Sequence, residues 1–193
     1  MSNKTMIYLL IFVVVVFLVI DMVTLMMNRS NFTVQYYDTD IYTDYSETAT
    51  ITTVSGLVFK DQKKEDDYLK TYKETSVQTF EKYFSEISKE IGKTIKVLDV
   101  DMKTQKRDSV LEITETVTLG GLVTKDGDKF NLGMGDIQLN SVAQSNVRVH
   151  LPADAVIEST DPTPTKVVSN MVTWSGKDIA RFPNIAFKRG GQQ

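Results

Sequence analysis

The sequence predicts an α+β protein, in which a single N-terminal transmembrane helix precedes one mainly antiparallel β-sheet domain carrying one long amphipathic helix. Three observations predict it. Residues 6–27 are almost wholly apolar, residues 68–91 place apolar side chains at helical spacing, and much of the remainder alternates apolar with polar residues in short runs rich in Thr, Val, Ile and Tyr.

The apolar run comes first. Residues 6–20 carry no charge, and after Asp21 the apolar character resumes through Met22, Val23, Leu25, Met26 and Met27. As a helix rising 1.5 Å per residue, the run is about 33 Å long and crosses a hydrocarbon core of about 30 Å. Its exit, Leu25-Met26-Met27-Asn28-Arg29, lacks the small residues of a signal-peptide cleavage site, so a retained anchor is expected. Lys4 precedes the run, and Arg29 is soon outweighed by Asp38, Asp40, Asp44 and Glu47, which favours a cytoplasmic N-terminus and an extracytoplasmic domain. The division is then residues 1–5 as a cytoplasmic lead, 6–27 as anchor, 28–189 as the α+β domain and 190–193 as a polar tail. Asp21 lies about 9 Å from the outer end of the helix. It reads either as an interfacial acid or as a polar handle for a partner helix. Sequons begin at Asn28 and Asn31.

Along the domain, residues 32–37 and 48–59 read as strands joined through the acidic stretch 38–47. Residues 61–67 read as a charged break. The helix then shows Leu69, Tyr72, Phe80, Tyr83, Phe84, Ile87 and Ile91 on one stripe and stops at Gly92. Residues 94–102 and 109–119 form a hairpin pattern, in which Glu115 falls on the apolar side beside Leu111, Ile113, Val117 and Leu119. Asp126-Gly127-Asp128 marks a tight turn before a strand at 129–132. Further strands are expected at 146–151, 155–159, 166–174 and 184–187.

Composition limits the chemistry. The absence of cysteine removes disulfides, thiol nucleophiles and cysteine-ligated zinc. A net charge of −3, with basic residues scattered in short mixed runs, excludes a nucleic-acid binder. His150 is the single histidine, with no nucleophile elbow to complete a triad, and no phosphate-binding glycine motif occurs. No cofactor is expected. Asp38, Asp40 and Asp44 gather three carboxylates in seven residues and are the calcium candidates, although their spacing departs from the EF-hand loop. Tyr36, Tyr37, Tyr42 and Tyr45 form an aromatic stretch placed near the membrane by its sequence position, suited to headgroups or to a partner protein, or to packing on the sheet.

In the C-terminal half, Gly135-Asp136, Leu151-Pro152, Pro162, Trp174-Ser175-Gly176 and Phe182-Pro183 follow one another in a succession that resembles archaeal membrane-anchored proteins of unknown function. The resemblance implies an extracytoplasmic β-rich domain without established activity and carries over no catalytic residue. The expected function is a non-enzymatic assembly or interaction protein of the cell envelope, with the bilayer and either a second copy or another membrane protein as partners. The alternative is a carboxylate-based surface hydrolase or a calcium-dependent glycan-binding domain.

Overall fold

The computed structural model describes residues 32–75, 77–137, 144–176, 179 and 181–191. The apolar run, Asp21 and the sequon residues Asn28 and Asn31 lie outside the described residues. Among those described, no helix is long and apolar enough to cross a membrane.

The α+β expectation of one sheet and one long helix is corrected. The described chain is mostly β, with two helices and two sheets. Strands β1 (Phe32–Thr43) and β2 (Thr48–Phe59) form a long antiparallel pair. Helices α1 (Gln62–Lys73) and α2 (Val77–Ile91) follow, and then come β3 (Lys96–Arg107) and β4 (Val110–Gly120). The second half contributes β5 (Val123–Asp126), β6 (Lys129–Leu132), β7 (Ser145–His150), β8 (Ala155–Asp161), β9 (Lys166–Val168), β10 (Met171–Ser175) and β11 (Asn184–Arg189). The larger sheet has the order β3-β4-β2-β1-β7-β10-β9, and the smaller has the order β5-β6-β11-β8. All pairings are antiparallel except β1 with β7.

Two helices replace one because they serve two different cores. Tyr68 and Tyr72 of α1 pack on Leu57, Leu111 and Ile113, whereas Phe80, Tyr83, Phe84 and Ile87 of α2 join the main cluster with Ile51, Val117, Leu119 and Trp174. The apolar spacing within each half is helical, so the periodicity reads continuously across the turn at Glu74. Helix α1 also starts earlier than its apolar stripe. Asp61 Oδ1 accepts from the Lys64 N–H at 2.9 Å, an N-cap that turns the expected charged break into the first turn of the helix. Gly92, at φ +65°, ends α2 as anticipated.

The strands also outrun their expected limits. The acidic residues Asp38 and Asp40 lie inside β1, because their side chains find cationic and amide partners on β7. The expected strand at 166–174 is a hairpin, β9 and β10, that turns at Ser169 with φ +52°. Both helices and the small sheet bury apolar side chains against the inner face of the large sheet. That face carries Ile41, Ile51, Leu57, Leu111, Ile113, Val117, Leu119, Val147, Val149, Val172 and Trp174. Trp174 is 1% exposed, and its indole N–H donates to the Pro162 carbonyl at 2.9 Å, which anchors the β10 end in the core.

Candidate functional site

The opposite face of the large sheet keeps its side chains half-exposed, and strand register arranges them in cross-strand rows. The middle row reads Asp101, Thr116, Thr52, Asp40, Arg148, Thr173, Lys166. One pleat away the row is Lys103, Thr114, Val54, Asp38, Asn146, Ser175. On the other side it is Asp99, Thr118, Thr50, Tyr42, His150, Met171, Val168. Seven strands at about 4.8 Å make this surface about 29 Å wide. Threonine hydroxyls pair across it, Thr50 with Thr118 and Thr52 with Thr116, both at 3.2 Å.

The centre of the face is a charged network on β1, β7 and β10. Arg148 clamps Asp40 with two parallel bonds, Nε to Oδ1 and Nη2 to Oδ2, each 2.8 Å. His150 Nε2 meets Asp40 Oδ1 at 2.7 Å. Asn146 Nδ2 donates to Asp38 Oδ1 at 2.8 Å, and Ser175 Oγ donates to Asn146 Oδ1 at 2.8 Å. Tyr42 stacks on the His150 ring with centroids 4.4 Å apart, and 48% of its surface is exposed. Partial burial pushes the Asp40 carboxyl up, but the hydrogen bonds from Arg148 and His150 outweigh it and hold the group below the usual carboxylate range. Arg148 is correspondingly raised, chiefly by its bonds to Asp40.

The structure brings only some of the expected site residues together. Asp38, Asp40 and Tyr42 meet on this face, joined by Arg148 and His150. Asp44 lies past the end of β1 and accepts from the Ser46 N–H at 2.7 Å. Among the described residues no three acids or histidines converge as metal ligands would, and both oxygens of the calcium candidate Asp40 are bonded to cationic or imidazole nitrogens. Tyr36 shares the outer face. Its ring covers Gly56, where any Cβ would overlap it, and its hydroxyl donates to Glu112 Oε2 at 2.9 Å. Tyr37 is buried on the inner face at 4% exposure. Tyr45 belongs to the small sheet's surroundings: its hydroxyl donates to Asp154 Oδ1 at 2.7 Å and the Arg189 guanidinium lies 4.4 Å from its ring centroid. Burial and Asp154 push the Tyr45 phenol up to about 12. The four tyrosines thus have four separate settings. Tyr42 lies about 33 Å along β1 from Phe32.

Arg148 and His150 are the residues of this network that the sequence does not single out as partners of Asp38 and Asp40. Their alternation with Val147 and Val149 was visible, but their pairing with Asp38 and Asp40 depends on β7 lying parallel to β1, more than a hundred residues away in sequence.

A family model described as a domain of unknown function (DUF4897) matches residues 32–188, from the first residue of β1 almost to the end of β11. The chain belongs to the DUF4897 family. That membership bears out the expected kinship with proteins of unknown function and is silent on archaeal origin and on membrane anchoring. No curated protein matches this DUF4897 chain. Among solved structures, it is similar to the folded domain of LppM from Mycobacterium tuberculosis, determined by NMR. That likeness has 11% identity over 86% of this chain and 97% of the other, with a TM-score of 0.44.

Proposed function

We propose that this DUF4897 protein is a non-enzymatic recognition module, held at the outer surface of a membrane by the apolar run of residues 6–27, that binds a partner protein of the cell envelope. The observation that carries the reading is the outer face of the large sheet, a broad polar surface with the Arg148–Asp40–His150 network at its centre and the half-exposed Tyr42 beside it. Tyrosine and arginine are the side chains most often found at the energetic centre of protein interfaces. Here Arg148 is already bonded to Asp40 and Tyr42 is stacked on His150, which reduces the side-chain entropy to be lost on docking. The face alternates acid, hydroxyl and base along its middle row, which suits a partner surface of equally mixed charge.

The test is in-cell photo-crosslinking from residue 116, in the middle row of the face two strands from Asp40, with residue 125 on the small sheet as the comparison position. A partner band that appears from position 116 alone, and that Tyr42→Ala with Arg148→Ala removes, is the expected result. Equal or absent crosslinking from both positions overturns the reading. Membrane fractionation with and without residues 6–27 checks the tether.

A second reading, saccharide binding without calcium, is favoured by one feature. An open groove of about 360 Å³ runs over the small sheet, lined by Lys93, Thr124, Asn131, Ser159, Asp161 and Asn184. Lys93 Nζ donates to the carbonyls of Leu122 at 2.6 Å and Gly133 at 3.1 Å, and burial lowers its pKa. Perturbation of the Asn131 and Ser159 resonances by added maltotriose supports this reading; an unchanged spectrum at millimolar sugar removes it.

A further inference from the structure

Among the described residues, Glu115 is the one carboxylate that the large sheet turns into its own inner face, at 7% exposure, between Thr53 of β2 and Met102 of β3. Helix α1 covers it. Tyr72 of α1 donates its hydroxyl to Glu115 Oε1 at 3.3 Å, a long bond for an O–H donor. One turn earlier, the Tyr68 hydroxyl is buried without a hydrogen-bond partner. An ionised carboxylate in such a place keeps a single phenol donor and loses its water, which is among the costliest arrangements in a protein interior.

The groups facing Glu115 do not relieve that cost. From α1 come Tyr68, Tyr72 and, at the first turn, Glu65. Both phenols are pushed further up, first by burial and then by Glu115, so they stay neutral. β3 places Lys106 on the inner face, four residues beyond Met102, while Asp101 lies on the outer face and adds only a negative charge that acts on Tyr72. Lys106 is already engaged at 2.8 Å by Glu65 and at 2.9 Å by Gln62. β2 presents Thr53 and Ser55, neither of which is charged. Burial accordingly raises the Glu115 carboxyl to about 7, outweighing the opposing effect of the Tyr72 hydrogen bond.

The way α1 is attached suggests what ionisation does. Its polar ties to the sheet at the N-terminal end are Lys106 with Gln62 and Glu65, and toward its C-terminal end the tie is the Tyr72–Glu115 bond. Its apolar contact is the smaller of the two cores, Leu57, Leu111 and Ile113, flanked by Phe32, Val34, Phe59, Leu69 and Met102. Helix α2 belongs to the other core and has no part in this contact. We propose that α1 is a strap that lifts from the sheet when Glu115 loses its proton, letting water reach the carboxylate and uncovering the aromatic surface of Phe32, Phe59, Tyr68 and Tyr72.

Hydrogen exchange on the full-length protein, corrected for intrinsic amide rates, tests it by comparing α1 with α2 at about pH 5.5 and about pH 8. With a carboxyl at about 7 in the closed state and 4.5 in the open one, the opening equilibrium of α1 rises about 25-fold between those conditions. That of α2 stays level. Glu115→Gln removes the pH response of α1. Tyr72→Phe, which keeps the ring and deletes the one donor, moves the midpoint of the response to higher pH. An α1 that does not respond to pH, an equal response in both helices, a response that survives Glu115→Gln, or a midpoint unmoved by Tyr72→Phe each overturns the proposal.

Discussion

Arg148 grips both carboxylate oxygens of Asp40 at 2.8 Å, tying the first strand to a parallel neighbour that follows it by 108 residues. Both side chains are about three-quarters covered, so the pair is screened less than a surface salt bridge. Removing one partner strands a partly buried charge. Arg148→Leu is expected to cost about 2 kcal/mol in chemical denaturation, and Asp40→Asn added to it should recover part of that loss. Strict additivity of the two changes would show that the pair is not coupled.

The same pair sets an acid limit. The Asp40 carboxyl is lowered in the folded state, so its contribution to stability is complete above the unfolded value of 3.8 and is lost as pH falls toward the lower folded value. Stability curves of wild type and Asp40→Asn should therefore converge below about pH 4. Parallel curves down to lower pH would remove Asp40 as the cause.

Glu115 acts in the opposite direction. Its folded-state carboxyl is raised to about 7, so the stability it allows is complete below the unfolded value of 4.5 and is lost as pH rises toward and through 7. Glu115→Gln should therefore be more stable than wild type by about 3 kcal/mol at pH 8, with little difference at pH 4. Thermal unfolding across that range checks the sign directly.

Gly121 and Gly127 separate two costs of losing a glycine. Both have positive φ, +79° and +63°. A Cβ at Gly127 meets nothing within 4 Å, whereas at Gly121 it overlaps the Thr94 carbonyl oxygen. Gly127→Ala should cost about 1 kcal/mol from backbone strain alone. Gly121→Ala should exceed that severalfold, because the Thr94 backbone must shift as well. Equal melting temperatures for the two variants would contradict the close approach.

Trp174 offers an internal probe. It is the only tryptophan, fully buried, with its N–H given to Pro162. Trp174→Phe should cost about 1–2 kcal/mol for the lost hydrogen bond and volume, and Trp174→Ala about 3–5 kcal/mol. Native tryptophan emission should be blue-shifted and move to the red on unfolding.

Much of the local structure was legible because it depends on neighbours in the chain. The alternation of Leu111, Ile113, Val117 and Leu119 marked β4 and put Glu115 on its apolar side, Gly92 marked the end of α2, and Asp126-Gly127-Asp128 marked the β5–β6 turn. Even the break between the helices was obscured for a local reason, since Tyr72 and Phe80 keep helical spacing across it. The composition likewise settled the absence of disulfide and thiol chemistry.

What the chain order could not express is which strands become neighbours. A row of acids at Asp38 and Asp40 reads as a solvated loop until β7 supplies Arg148 and Asn146, and that parallel contact is chosen by the burial of Val147 and Val149 beside Ile41 on the other face. Tyr36, Tyr37, Tyr42 and Tyr45, close in sequence, part company because a pleat sends successive side chains to opposite faces and the turn after Thr43 carries Tyr45 to the second sheet. The sequence by itself determined the periodicity, the turns and the sign of each face. Only the tertiary structure decided the division into two sheets, the charged centre of the open face and the burial of Glu115 beneath α1, because each arises from long-range burial that no local pattern encodes.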